Sequence, residues 1–231
     1  MNHQRHQLPL DLKRDSVDQE SAFFTSTHNQ AAVDWVNLWP KWNAPGLIIH
    51  GPKGCGKSHL GDLWQRQSNA YPLTLNDLEE DSLHILVQNH PHHLLTIDAF
   101  ETSFEKPLFH LYNLIKESGG SLLILAKTPP RQWGITLADL RSRLCALPAV
   151  EISQPDDEAI TLLLIKLFND RQLTLAPATL TYILQRAPRS FEGIQKLVKV
   201  IDDLSLVLHR EITIPLVRES LDHLTKDDPQ A

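Results

Sequence analysis

Sulfur is scarce in this chain: two cysteines and one methionine in 231 residues. Cys55 and Cys145 cannot build a disulfide framework or a cysteine-based zinc finger, so a reducing, cytoplasmic setting is expected. Long apolar runs are missing too, and nothing reaches the roughly 18 residues that a membrane span requires. The opening segment MNHQRHQLPLDLKRD lacks the apolar stretch and small-residue cleavage site of a secretory signal. Positive charge is in short supply: 22 Lys and Arg stand against 28 Asp and Glu, a net charge of -6. That balance speaks against a stand-alone nucleic-acid binder, which releases counterions through a surplus of basic side chains. The partners left are protein surfaces and small anions.

What the chain does have is enough apolar material for a core, at 42% of its residues. Residues 1–20 are polar apart from Gln7-Leu8-Pro9-Leu10-Asp11-Leu12, and read as a flexible tail. Ala31, Ala32, Trp35, Val36 and Trp39 recur at helical spacing, with Asn29 as the expected cap and Pro40 and Pro45 beyond the end. Gly46–His50, Tyr71–Thr74, Leu94–Ile97, Leu122–Leu125 and Ala149–Ile152 are strand-like, with helical patterns between them. Alternation of this kind predicts an α/β base domain over 21–154 with a parallel five-stranded sheet. From 155 to 231 only helical patterns follow, at 156–172, 177–186, 190–209 and 214–224, predicting a small all-helical lid domain.

Gly51-Pro52-Lys53-Gly54-Cys55-Gly56-Lys57-Ser58 matches G-x-x-x-x-G-K-[ST] in full. Glycines let backbone N–H groups converge on phosphates, which also sit at a helix N-terminus. An apolar strand precedes the loop and the helix-like His59–Gln67 follows it, as such a loop requires. The nucleotide contacts expected here are Gly51, Pro52, Gly54, Cys55, Gly56, Lys57, Ser58 and His59. Lys57 would reach the outer phosphates and the Ser58 hydroxyl a Mg²⁺ ion. Leu94-Leu95-Thr96-Ile97-Asp98 ends a buried strand on an acid, so Asp98 is the expected carboxylate on the metal side. The next position, where many ATPases carry a second acid to polarise water, is Ala99, and Glu101 is out of register. Nucleotide binding is expected; rapid hydrolysis is not.

The stretch APGLIIHGPKGCGKSHL resembles the phosphate-loop region of the replication initiator DnaA and its shorter relative Hda. Hda proteins are AAA+ regulators that prompt initiator-bound ATP to hydrolyse. The likeness continues in order along the chain. Thr128-Pro129-Pro130-Arg131 resembles the family's sensor 1 turn, with Lys127 where an Asp is usual. Asp139-Leu140-Arg141-Ser142-Arg143-Leu144 resembles the Box VII segment, whose second arginine acts across a subunit boundary as an arginine finger. Ala187-Pro188-Arg189-Ser190-Phe191-Glu192-Gly193 is similar to the sensor 2 motif, which implies that Arg189 reaches the nucleotide from the lid. Residues Gln7, Leu8, Leu10 and Leu12 belong to a segment resembling the clamp-binding hexapeptide of Hda proteins.

The resemblance implies an adaptor that binds ADP or ATP with Mg²⁺, docks on the sliding clamp and on DnaA, and uses Arg143 in trans. A homodimer is left open. Without the initiator's basic helix-turn-helix domain, the chain is expected not to recognise origin sequences itself. Two other readings stand beside it: an initiator-like AAA+ helicase loader, and a P-loop small-molecule kinase, against which a missing acceptor motif counts. Phe23 and Phe24 fall where the family wraps the adenine, and read equally as core. Trp35 and Trp133 read as packing residues, Glu79, Glu80 and Asp81 as a solvated helix end or loop, and His90, His92 and His93 as a solvated turn.

Overall fold

The computed structural model describes residues 25–78 and 80–227. The expected tail with its hexapeptide, Phe23, Phe24 and Glu79 lie outside the described residues. Five strands form one parallel sheet: β1 (Gly46–His50), β2 (Tyr71–Thr74), β3 (His92–Ile97), β4 (Ser121–Ala126) and β5 (Ala149–Glu151), in the order β2-β3-β4-β1-β5. Every expected strand is present. β3 begins earlier than its apolar run, because His92 pairs with Ser121 and His93 with both Tyr71 and Leu122. His93 is therefore fully buried within the sheet, not part of a solvated turn.

The sheet is covered on both faces, as parallel sheets require. Side chains alternate across it: Leu47 and Ile49 of β1 join one core with Leu94, Leu123 and Leu125, whereas Ile48 joins the other with Leu95, Ile97 and Ile124. The first core is closed by α1 (Gln30–Leu38) and α2 (Lys57–Ser68), through Ala32, Val36, Leu60 and Trp64. Trp35 packs against it at the rim. The second is closed by α3 (Glu80–Asn89), α4 (Glu105–Ser118) and α5 (Ala138–Ala146). Asn29 stands at the cap position of α1, where its side-chain oxygen accepts from the Ser26 backbone amide at 3.0 Å.

After β5 the chain turns helical: α6 (Asp157–Asp170), α7 (Pro177–Arg186), α8 (Phe191–Leu208) and α9 (Ile214–Asp227) surround a third core. In α8, Ile194, Leu197, Val198 and Ile201 follow the i, i+3, i+4, i+7 pattern of one buried stripe. Two side-chain caps fix the lid's helix starts: Asp156 accepts from Ala159 N at 2.7 Å and Ser190 from Gly193 N at 3.0 Å. Asp156 also accepts from the Thr27 hydroxyl at 2.9 Å, which ties the segment before α1 to the lid. Among the described residues, no helix is long and apolar enough to cross a membrane.

Candidate functional site

The loop from Gly51 to Gly56 leaves the C-terminal end of β1 and feeds straight into α2. Its first amide, Gly51 N, donates to Ala126 O at 3.2 Å, which anchors the loop to the end of β4. Gly56 caps α2 in the left-handed region at φ 104°, a conformation a side chain resists. The first turn of α2 thus starts at the concavity, where a helix N-terminus favours an anion. Lys57 arches back over the loop and donates to Gly51 O and Pro52 O, both at 2.8 Å. Cys55 turns the other way: its side chain is buried in the core.

A cleft of about 460 Å³ opens over this loop, lined by Gly54, Gly56, Lys57, Ser58 and His59 from the loop and α2. Asp98 and Lys127 enter from the ends of β3 and β4, and Phe191, Glu192 and Gln195 from α8 of the lid. A ligand in the cleft therefore touches base and lid at once. A second groove of about 370 Å³ shares Lys53, Gly54 and Glu192 with it and runs along Pro188, Arg189 and Gly193. Of the expected contacts, Gly54, Gly56, Lys57, Ser58, His59 and Asp98 meet in the cleft, whereas Gly51, Pro52 and Cys55 are not among its lining residues.

Arg189 is placed differently from the sequence expectation. It lines the second groove, not the cleft over the loop, and is paired with Asp157 in the first turn of α6. The acidic start of α6, read as a helix-dipole feature, also supplies that counter-charge. Sequence reasoning missed Asp62, Phe191, Glu192 and Gln195. Asp62 had a signal, since it lies four residues after Ser58 and so on the same face of α2. Glu192 is held by Lys196 at 2.8 Å, and this hydrogen-bonded partner, followed by the charge of Lys53, lowers its pKa below the usual range.

Ser58 and Asp98, the residues expected on the metal side, line the same cleft. The Asp98 carboxylate already has a cation at hand, the Lys127 ammonium at 3.8 Å. Glu101 is not among the lining residues, in keeping with its register, and Ala99 offers no acid. Trp133 does pack, stacking on Phe100 at 5.4 Å between ring centroids.

The Box VII-like segment forms α5, on the second-core side of the sheet. Its N-terminus is held by Glu105 of α4, whose carboxylate accepts from Thr136 N at 2.6 Å, the Thr136 hydroxyl at 2.9 Å and Leu137 N at 2.9 Å. Those bonds to the charged form, Thr136 N foremost, lower the Glu105 pKa. Arg143 lies over the Phe109 ring at 4.9 Å from its centroid and donates to Asn113 Oδ1 at 2.6 Å. It is not among the residues lining the cleft of its own chain. Arg141, one of the two arginines of the segment, is exposed.

Residues 156–221 match the family model of the Hda lid domain. The whole architecture is that of DnaA domain III. Domain III of Thermotoga maritima DnaA superposes with a TM-score of 0.70 at 17% identity, over 87% of this chain and 94% of that one. Aquifex aeolicus DnaA, solved with AMPPCP bound, gives a TM-score of 0.68 at 16% identity over 80% of this chain and 65% of that one. The chain thus carries an Hda-type lid over residues 156–221 and shares its overall fold with DnaA domain III. The same fold extends to the RuvB branch-migration motor of Thermotoga maritima, with a TM-score of 0.67 at 17% identity over 85% and 70% of the two chains. In sequence, an uncharacterized protein of Haemophilus influenzae is 27% identical over 188 residues, 77% of this chain and 81% of that one.

Proposed function

We propose that this AAA+ protein binds an adenine nucleotide, ADP or ATP, as a structural bridge between base and lid, and that it acts on nucleotide held by DnaA. The observation that carries the reading is the joint lining of the cleft: loop residues Lys57 and Ser58 on one side, Phe191 and Gln195 of an Hda-type lid on the other. Phosphates would lie against the loop amides and Lys57, with base and ribose toward the groove that holds Arg189. Because AAA+ motors share the fold, the choice of partner rests on the lid and not on the sheet.

Arg143 is the residue we assign to the neighbour's triphosphate. Its place on α5, outside its own cleft, supports action across a subunit boundary, and such arginines raise phosphoryl-transfer rates about 10³–10⁵-fold. The perch on Phe109 and Asn113 would hold it until a partner takes over those contacts. Gln7, Leu8, Leu10 and Leu12, outside the described residues, would dock on the sliding clamp as an extended peptide.

The test mixes the protein with DNA-loaded clamp and ATP-charged DnaA and follows ADP formation. Arg143→Ala should retain nucleotide and clamp binding while stimulated hydrolysis disappears, and removal of residues 1–13 should abolish the dependence on clamp. Undiminished stimulation by Arg143→Ala would refute the finger role.

A further inference from the structure

The ends of β3 and β4 deliver opposite charges to one point of the cleft. Parallel register pairs Ile97 with Ala126, so the next residues, Asp98 and Lys127, leave the sheet side by side. Their charged ends stand 3.8 Å apart. The segments that follow are tied to each other: Phe100 stacks on Trp133, whose indole N–H donates to Thr128 O at 2.8 Å. Backbone register and an aromatic clasp therefore fix where the two residues emerge, while both side chains stand exposed over the cleft.

A phosphate loop of this type ordinarily recruits a divalent cation between the hydroxyl after its lysine and an acid on a neighbouring strand. Here the acid's cation is built into the protein. An ammonium beside Asp98 repels a divalent metal approaching the same carboxylate, and presents three N–H donors toward phosphate oxygens.

Resting on the nucleotide-binding reading above, we propose that Lys127 stands in for the metal: the cleft takes a nucleoside di- or triphosphate in its metal-free form, with Lys57 and Lys127 as the phosphate cations. The lysine at the sensor 1 position is then a ligand-binding residue. With no metal and no acid after Asp98, the bound nucleotide persists as scaffold.

Calorimetric titration of the full chain with ADP, once in EDTA and once in magnesium, tests this. Wild-type affinity should agree within about threefold between the two buffers. Lys127→Ala should lose about tenfold or more in EDTA, the scale of one charged contact, and recover part of it in magnesium. Asp98→Asn should tighten binding in both, because it removes a negative charge facing the phosphates and releases Lys127. Both side chains project into solvent, so the variants should melt with the wild type by circular dichroism. Wild-type binding that needs magnesium, weakening by Asp98→Asn in magnesium, or an unaltered EDTA titration for Lys127→Ala would each overturn the proposal. ADP failing to bind in either buffer would instead remove the nucleotide-binding reading, and the proposal with it.

Discussion

His93 lies at the opposite end of β3 from Asp98, and neither of its ring nitrogens has a hydrogen-bond partner among the described residues. Burial, with smaller contributions from the charges of His90 and His92, pushes its pKa down to about 4. The depressed value means that the native state favours the neutral ring, whereas the unfolded chain takes up a proton near pH 6.5. The native state therefore keeps its full advantage above about pH 6.5 and loses it as pH falls toward 4, by about 3 kcal/mol in all. Urea unfolding at a series of pH values should show that decline in the wild type, and His93→Leu should flatten it. Parallel declines in the two proteins would mean that the native state takes up the His93 proton as readily as the unfolded chain, against so buried a ring. Arg143 illustrates the same dependence on surroundings: its family role points outward, yet its guanidinium rests on Phe109 and Asn113.

Among elements, α5 depends most on a single distant residue. Leu137 stands at its N-cap position and offers no side-chain oxygen, so Glu105 supplies the acceptors from the start of α4. Glu105→Ala should strip the helix start of these bonds, lower the melting midpoint and shift Arg141 and Arg143 together. Stimulated hydrolysis should fall while ADP affinity holds, since Glu105 is not among the residues lining the cleft. Because its pKa is lowered, the contribution of Glu105 is present above the usual carboxylate range and fades as pH drops below it. Unchanged stimulation in Glu105→Ala would show that α5 holds its place without this brace. Nothing in the sequence around Thr136 announces the carboxylate, because the bond spans some thirty residues of chain. What local pattern does announce is element type: the apolar runs at Gly46–His50 and Leu94–Ile97 and the stripe of α8 are visible because burial on one or both faces imposes a period. The loop residues of the cleft were equally legible, since positive φ and helix-terminal amides demand glycine and leave a signature. Lid residues Phe191, Glu192 and Gln195 were not, for they join the site only through the angle at which the lid closes. Lys127 was visible as a departure from the family pattern, but its pairing with Asp98 needed the register of β3 and β4.

At the scale of the whole molecule, base and lid meet on the phosphate loop itself. Phe191 N donates to Gly54 O at 3.0 Å, directly at the start of α8. Gly54 has φ +77°, and a Cβ there would come 2.6 Å from the Cβ of Ser190, the residue that caps α8. The loop that would hold the phosphates is thus pressed against the cap of the lid's longest helix, with no side chain between them. A second tie runs through the segment before α1, where Ser153 N donates to His28 O at 3.2 Å and the Thr27 hydroxyl donates to Asp156. With two points of attachment the lid angle is set by contact with the loop, and anything that moves the loop moves α8. Gly54→Ala tests that coupling. The left-handed backbone alone costs a non-glycine residue about 1–2 kcal/mol, and the new methyl must displace Ser190 or the loop. We expect a lid swung away from the base, seen as a larger radius of gyration in small-angle scattering and faster proteolysis near residues 153–156. Nucleotide affinity and stimulation of DnaA should fall together. Ser190→Gly in the same chain removes the colliding Cβ and should restore part of the closure, at the cost of a weaker α8 cap. A Gly54→Ala protein with wild-type scattering and wild-type nucleotide affinity would show that loop and lid merely touch.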